Sequence, residues 1–105
     1  MKGLKLISKK VEVKGAPEQQ MSSVEMIRFA IEGNEENRKG LEKIGKAIKV
    51  LDKLSAAEKD PANQVIEFED AEVEMVYSSV NNYAWGPLAL RFGEFFGSIE
   101  ELKKK

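Results

Sequence analysis

A chain of 105 residues with 42% hydrophobic and 33% charged side chains is long enough for one domain with its own core and too apolar for a disordered segment. It holds no cysteine and no histidine, which removes disulfides, thiolate metal sites, the commonest general base and the best nucleophile. The net charge of −1 hides an uneven spread: residues 1–20 sum to +3, residues 21–60 balance, and residues 61–105 sum to −4.

Residues 3–14, GLKLISKKVEVK, alternate apolar and charged side chains. Leu4 and Leu6 share one phase, whereas Ile7, Val11 and Val13 share the other. A phase switch near Ile7 predicts a bulged strand or two short pieces. Gly15 and Pro17 then predict a turn.

The first helix is announced by Ser22 with Glu25 three residues on, a capping box, and by Met21 with Met26, a hydrophobic staple. Val24, Ile27, Phe29, Ala30 and Ile31 form its expected apolar face, and Gly33 with Asn34 its end. Asn34 is the expected cap of a second helix. In that helix Leu41, Ile44, Ile48, Leu51 and Leu54 step by three and four and predict the buried stripe. Lys39, Lys43, Lys46, Lys49 and Lys53 step the same way on another face, and Glu42 stands in the favourable order with Lys46. Gly40 and Gly45 each weaken a helix by about 1 kcal/mol, so they predict a loose first half or close approach by another element.

SAAEKDPAN reads as a loop, closed by Pro61. Val65 to Phe68 reads as a short buried strand, and Asp70 as the cap of a third helix over Ala71 to Tyr83. Val73, Val76, Tyr77 and Val80 give that helix its stripe, while Glu72 and Glu74 suit its dipole. Pro87 is placed to begin a fourth helix, in which Leu88, Phe92, Phe95, Ile99 and Leu102 form a strongly apolar seam interrupted at Gly97 and Ser98. The expected fold is a single α+β domain over residues 1–105, mainly helical with about four helices and a minor two-stranded β-sheet. A pair of short strands is too small to stand alone in water, so it must lie on the helical core.

Chemistry is sparse in this pattern. GLEKIGKA, Gly40 to Ala47, matches a phosphate loop except at its last position, where Ala47 stands in place of the magnesium-binding hydroxyl. The acids Glu67, Glu69, Asp70, Glu72 and Glu74 lack the spacing of a calcium loop. No paired carboxylates are singled out by spacing, so the expectation is a protein that is not an enzyme and has no cofactor or metal. The segment NNYAWGPLALRFGEFFG holds the only tryptophan and three of the five phenylalanines. Phe92 and Phe95 share the helical seam and read as core. Trp85, Phe96 and Tyr83 are the candidates for a protein-contact patch, since tryptophan is enriched in interface hot spots. The lysine face, Lys39, Lys43, Lys46, Lys49 and Lys53, is the candidate nucleic-acid contact and otherwise a solvated helix face. No apolar run reaches the ~20 residues of a membrane span, and the start MKGLKLISKK is too short in apolar residues for a signal peptide, so a cytoplasmic setting is expected.

The succession KAIKVLDKL, VIEFEDAEVEMV, NNYAWG and ALRFGEFF resembles small phage or prophage accessory proteins over residues 40–96. Glu72 departs from it where an aspartate is usual. The resemblance implies a small protein working through protein contacts or self-association, in virion assembly or host interference, in the host cytoplasm. It implies no catalytic or ligand-binding residues.

Overall fold

The phase switch at Leu6 and Ile7 becomes a break between two strands. A computed structural model describes residues 2–11, 19–60, 62, 65–86, 90 and 92–104. Strand β1 spans Lys2–Lys5 and β2 spans Ser8–Val11. A further strand, β3, spans Gln19–Ser22 and leads directly into helix α1, Ser23–Gly33. A short 3-10 turn, Glu35–Arg38, connects to α2, Leu41–Lys59. Strand β4, Val65–Phe68, helix α3, Asp70–Asn82, and helix α4, Gly93–Lys104, complete the order.

The domain is mainly helical α+β, as expected. The strand content is richer than the sequence pattern suggests: the described strands form two antiparallel pairs rather than one. β1 pairs with β4, Leu4 opposite Ile66 and Lys2 opposite Phe68, and joins the start of the chain to the segment between α2 and α3. β2 pairs with β3, Ser8 opposite Ser22 and Val11 opposite Gln19. β3 was hidden because Gln19, Gln20 and Met21 carry no alternating pattern. The turn expected at Gly15 and Pro17 and the packing of Met21 lie outside the described residues.

Ser23 holds the break in place. The Ile7 amide donates to Ser23 Oγ at 2.9 Å, Ser23 Oγ donates back to the Ile7 carbonyl at 3.3 Å, and the Ser23 amide donates to the same carbonyl at 2.8 Å. Both backbone groups of a residue between strands are thereby satisfied by one buried serine. Ser22 caps α1 as expected, accepting from the Glu25 amide at 3.2 Å. Asn34 closes α1, and its side chain accepts from the Glu36 amide at 3.0 Å, so it caps the 3-10 turn rather than the second long helix. Gly40 precedes α2 with φ of 88°, a left-handed conformation that favours glycine.

The core gathers faces from every layer: Leu4, Ile66 and Phe68 of the first sheet, Ile27, Ala30 and Ile31 of α1, Val73, Val76 and Val80 of α3, and Phe92, Phe95, Ile99 and Leu102 at the end. Strand β4 is half-buried rather than buried, since Ile66 and Phe68 turn in while Val65 and Glu67 turn out. Phe29, expected on the apolar face of α1, is 53% exposed; Met26 is buried in that helix instead. Helix α2 runs on through Ser55 to Lys59, where the sequence suggested a loop, because Ala57 continues its buried face. The cap of α3 is Glu69, one residue earlier than expected. Helix α4 begins at Gly93; Pro87 and Leu88 lie outside the described residues. Gly97 and Ser98 do not interrupt it, and Ser98 Oγ donates to the Phe95 carbonyl at 2.6 Å.

Candidate interaction surface

Two rows of side chains on α2 compete for the interior, and the row with smaller residues wins it. Ala47, Val50, Leu54 and Ala57 are buried, stepping three, four and three. The alanines let α2 lie close to its neighbours. The row that sequence spacing placed inside turns outward over most of its length: Leu41 is 89% exposed, Ile44 36% and Ile48 52%. Only Leu54 at its end is buried and Leu51 half-buried against the core. The correction has a simple cause. Two stripes with helical spacing exist on this helix, and periodicity alone does not rank them.

Between this outward row and the end of α1 lies an open groove of about 350 Å³, lined by Ile31, Asn37, Ile44, Ala47, Ile48 and Leu51. Its floor is fixed by a buried polar tie. Asn37 Nδ2 donates to the Ile31 carbonyl at 3.0 Å and to Ser79 Oγ at 2.9 Å, which pins the 3-10 turn to α3. Arg38 Nη1 donates to the Glu32 carbonyl at 2.7 Å and forms one wall.

Tyr83, Trp85 and Phe96 are brought together as one cluster. The Trp85 ring lies 4.3 Å from that of Tyr83 and 5.4 Å, edge-on, from that of Phe96. All three are half-buried and packed on the core, where Phe95 stands 5.1 Å from Phe96 and 5.5 Å from Phe92. The Trp85 indole N–H donates to the Val80 carbonyl at 2.9 Å, so its polar end is satisfied within the fold. Phe92 and Phe95 are fully buried, as their place on the seam requires.

The lysine face is divided among different duties. Lys39 and Lys43 both pair with Glu36, at 2.9 and 3.6 Å. The hydrogen bond from Lys39, then the charges of Lys39 and Lys43, hold the Glu36 carboxyl below the usual carboxylate range. Lys53 turns inward to α3: its Nζ meets Glu72 Oε1 at 2.5 Å, donates to the Glu67 carbonyl at 3.0 Å, and stands 5.7 Å from the Phe68 ring centre. Glu72 is almost wholly buried and also accepts from the Glu69 amide at 2.8 Å. Sequence reasoning placed Glu72 as a dipole partner and missed this pair. The available signal was Lys53 itself, which lies three residues after Val50 and four before Ala57, both buried, and so at the edge of the inward face. The Glu42–Lys46 pair expected from spacing is absent, and among the described residues Glu42, Lys46 and Lys49 stand in no ion pair. Residues 41–47 of the phosphate-loop match are helical and cannot wrap a phosphate.

Every buried side-chain nitrogen and oxygen among the described residues has a hydrogen-bond partner. No described helix is long and apolar enough to cross a membrane. Comparison with known families, curated proteins and solved structures finds no match to this chain.

Proposed function

We propose that this chain is a non-enzymatic protein-interaction module whose principal contact face is the outward row of α2, Leu41, Ile44 and Ile48, with the groove beside it. The observation that carries the reading is the exposure of three large aliphatic side chains at i, i+3 and i+7 on one helix. Single exposed apolar residues are ordinary on a protein surface, but a continuous row beside an apolar groove is the form that helix-mediated contacts take. The aromatic trio Tyr83, Trp85 and Phe96 offers less, since its rings stack on one another and on the core. Lys46 and Lys49, in no ion pair among the described residues, offer a nucleic acid little, because each neutralised phosphate adds only one salt-dependent increment.

The likeness over residues 40–96 to small phage or prophage accessory proteins agrees with a role in virion assembly or host interference. On this reading the module works in the cytoplasm, the host cell's where a phage encodes it. The test is photo-crosslinking in cells that express the full chain. A p-benzoylphenylalanine in place of Leu41 or Ile48 is expected to give discrete protein adducts, and one in place of Glu100, exposed on α4, is not. Equal labelling at the three positions, or none, overturns the reading.

A further inference from the structure

The groove between α1 and α2 holds one polar group that the fold leaves open on one side. Asn37 is 6% exposed, and both hydrogens of its Nδ2 are spent, one on the Ile31 carbonyl at 3.0 Å and one on Ser79 Oγ at 2.9 Å. A backbone carbonyl only accepts, so Nδ2 has to face Ile31 and the amide cannot turn over. Oδ1 is thereby fixed as an acceptor, and among the described residues nothing donates to it. Every sealed side-chain nitrogen and oxygen among those residues has a partner, so Oδ1 is not sealed. Asn37 lines the groove, and that is where its remaining surface opens. The apolar side chains of Ile31, Ile44, Ile48 and Leu51 stand around it.

We infer that the groove is a subsite for the indole ring of a partner protein's tryptophan, with the ring N–H donated to Asn37 Oδ1; this deepens, and rests on, the interaction-module reading. The chemistry of the groove selects the ring. Its walls call for an apolar body, and its one fixed polar group calls for a donor and offers none in return. An indole carries one N–H and no acceptor, whereas a phenol brings an acceptor oxygen that Asn37 cannot meet. Arg38 adds to the preference. Its Nη1 donates to the Glu32 carbonyl at 2.7 Å, which holds the guanidinium as a wall, and tryptophan is the ring that cations favour most. A groove of about 350 Å³ lies near the lower end of ligand clefts, about 300–1,000 Å³, and suits one side chain rather than a helix. The chain's own tryptophan does not supply the ring, since the Trp85 N–H is spent on the Val80 carbonyl. An acceptor buried this far discriminates against a ring that lacks the donor, so the bond sets specificity as well as affinity.

Titration of the isotope-labelled full chain, followed by NMR, tests this with indole and with N-acetyltryptophanamide, which carries the ring as a protein does. Both are expected to shift the Asn37 side-chain amide and the backbone amides of Ile44, Ile48 and Leu51, saturating between about 0.1 and about 10 mM. N-methylindole, more apolar and without an N–H, is expected to bind about five-fold more weakly or worse, the change that loss of one hydrogen bond produces. Ile48→Asp, at a half-exposed wall position, is expected to abolish the shifts with the helical circular-dichroism signal unchanged. Glu32→Gln, which keeps the shape of the exposed rim without its charge, leaves the dissociation constant within about two-fold. N-methylindole that binds as tightly as indole, or a Glu32→Gln chain that loses the binding, overturns the Asn37 bond. An Ile48→Asp chain that binds as before overturns the site, and p-cresol that matches indole overturns the choice of ring. Binding of indole without N-acetyltryptophanamide makes the groove a small-molecule site and overturns the partner's side chain. No saturable shift with either probe removes the subsite, and adducts at Leu41 and Ile48 then leave the interaction module standing. Saturable shifts without any adducts remove the module and, with it, the protein origin of the ring.

Discussion

Helices α2 and α4 carry apolar rows of the same helical spacing and meet opposite fates. On α4, Phe95, Ile99 and Leu102 are closed off from water together with Phe92 just before the helix. On α2, Leu41, Ile44 and Ile48 face solvent while Ala47, Val50, Leu54 and Ala57 take the interior. Helical spacing says that residues share a face. It does not say which face another element will cover, and α2 has two rows to offer. The row containing alanines permits closer packing, and the bulky row is left over.

The comparison breaks or sharpens under substitution, and the effects differ in size. Phe95→Ala, at a fully buried ring touching Phe92, Phe96 and Trp85, is expected to cost about 3–5 kcal/mol, read from the denaturant midpoint. That is a large part of the stability of an ordinary domain. Lys53→Ala comes next, at about 1–3 kcal/mol. It leaves buried Glu72 with the Glu69 amide but no counter-charge, and Lys53 itself is 30% exposed, which moderates the loss. The same measurement at high salt should show little change, because the carboxylate side of the pair is shielded from solvent. Ile48→Ala, measured at concentrations where the chain is a single copy, should cost under about 1 kcal/mol, since half of that side chain already faces water. A loss as large as that of Phe95→Ala would mean that the α2 row is covered from within after all.

The smallest effect concerns pH. Glu36 binds its proton less readily in the fold, chiefly through the Lys39 hydrogen bond and then the charges of Lys39 and Lys43. A carboxyl shifted down contributes stability above its unfolded titration range and loses it as pH falls through the lowered value. Glu36→Gln should therefore flatten that part of the acid limb in thermal melts between about pH 2 and about pH 6, by a slight amount because the group is fully exposed.

Much of the chain was legible residue by residue. Ser22 with Glu25, the phase switch at Ile7 and the seam from Phe92 to Leu102 each rest on neighbours within a few positions, and each stands where its pattern put it. The surface row on α2 was legible as a row and misread as core. The Asn37–Ser79 bond and the Lys53–Glu72 pair were not legible, because their partners lie 42 and 19 residues apart and no spacing rule connects them. Strand β3 was missed for another reason: its residues have no alternation, and its pairing with β2 makes it a strand.

The order of amino acids settled the cap and the end of α1, and it settled the absence of thiol and imidazole chemistry, because these depend on side-chain identity and on contacts close along the chain. Tertiary packing alone decided which row of α2 faces inward, which acid neutralises Lys53 and which strands pair. Those outcomes depend on which distant segments compete for the same apolar surface, and that competition is resolved only when all of them are in place.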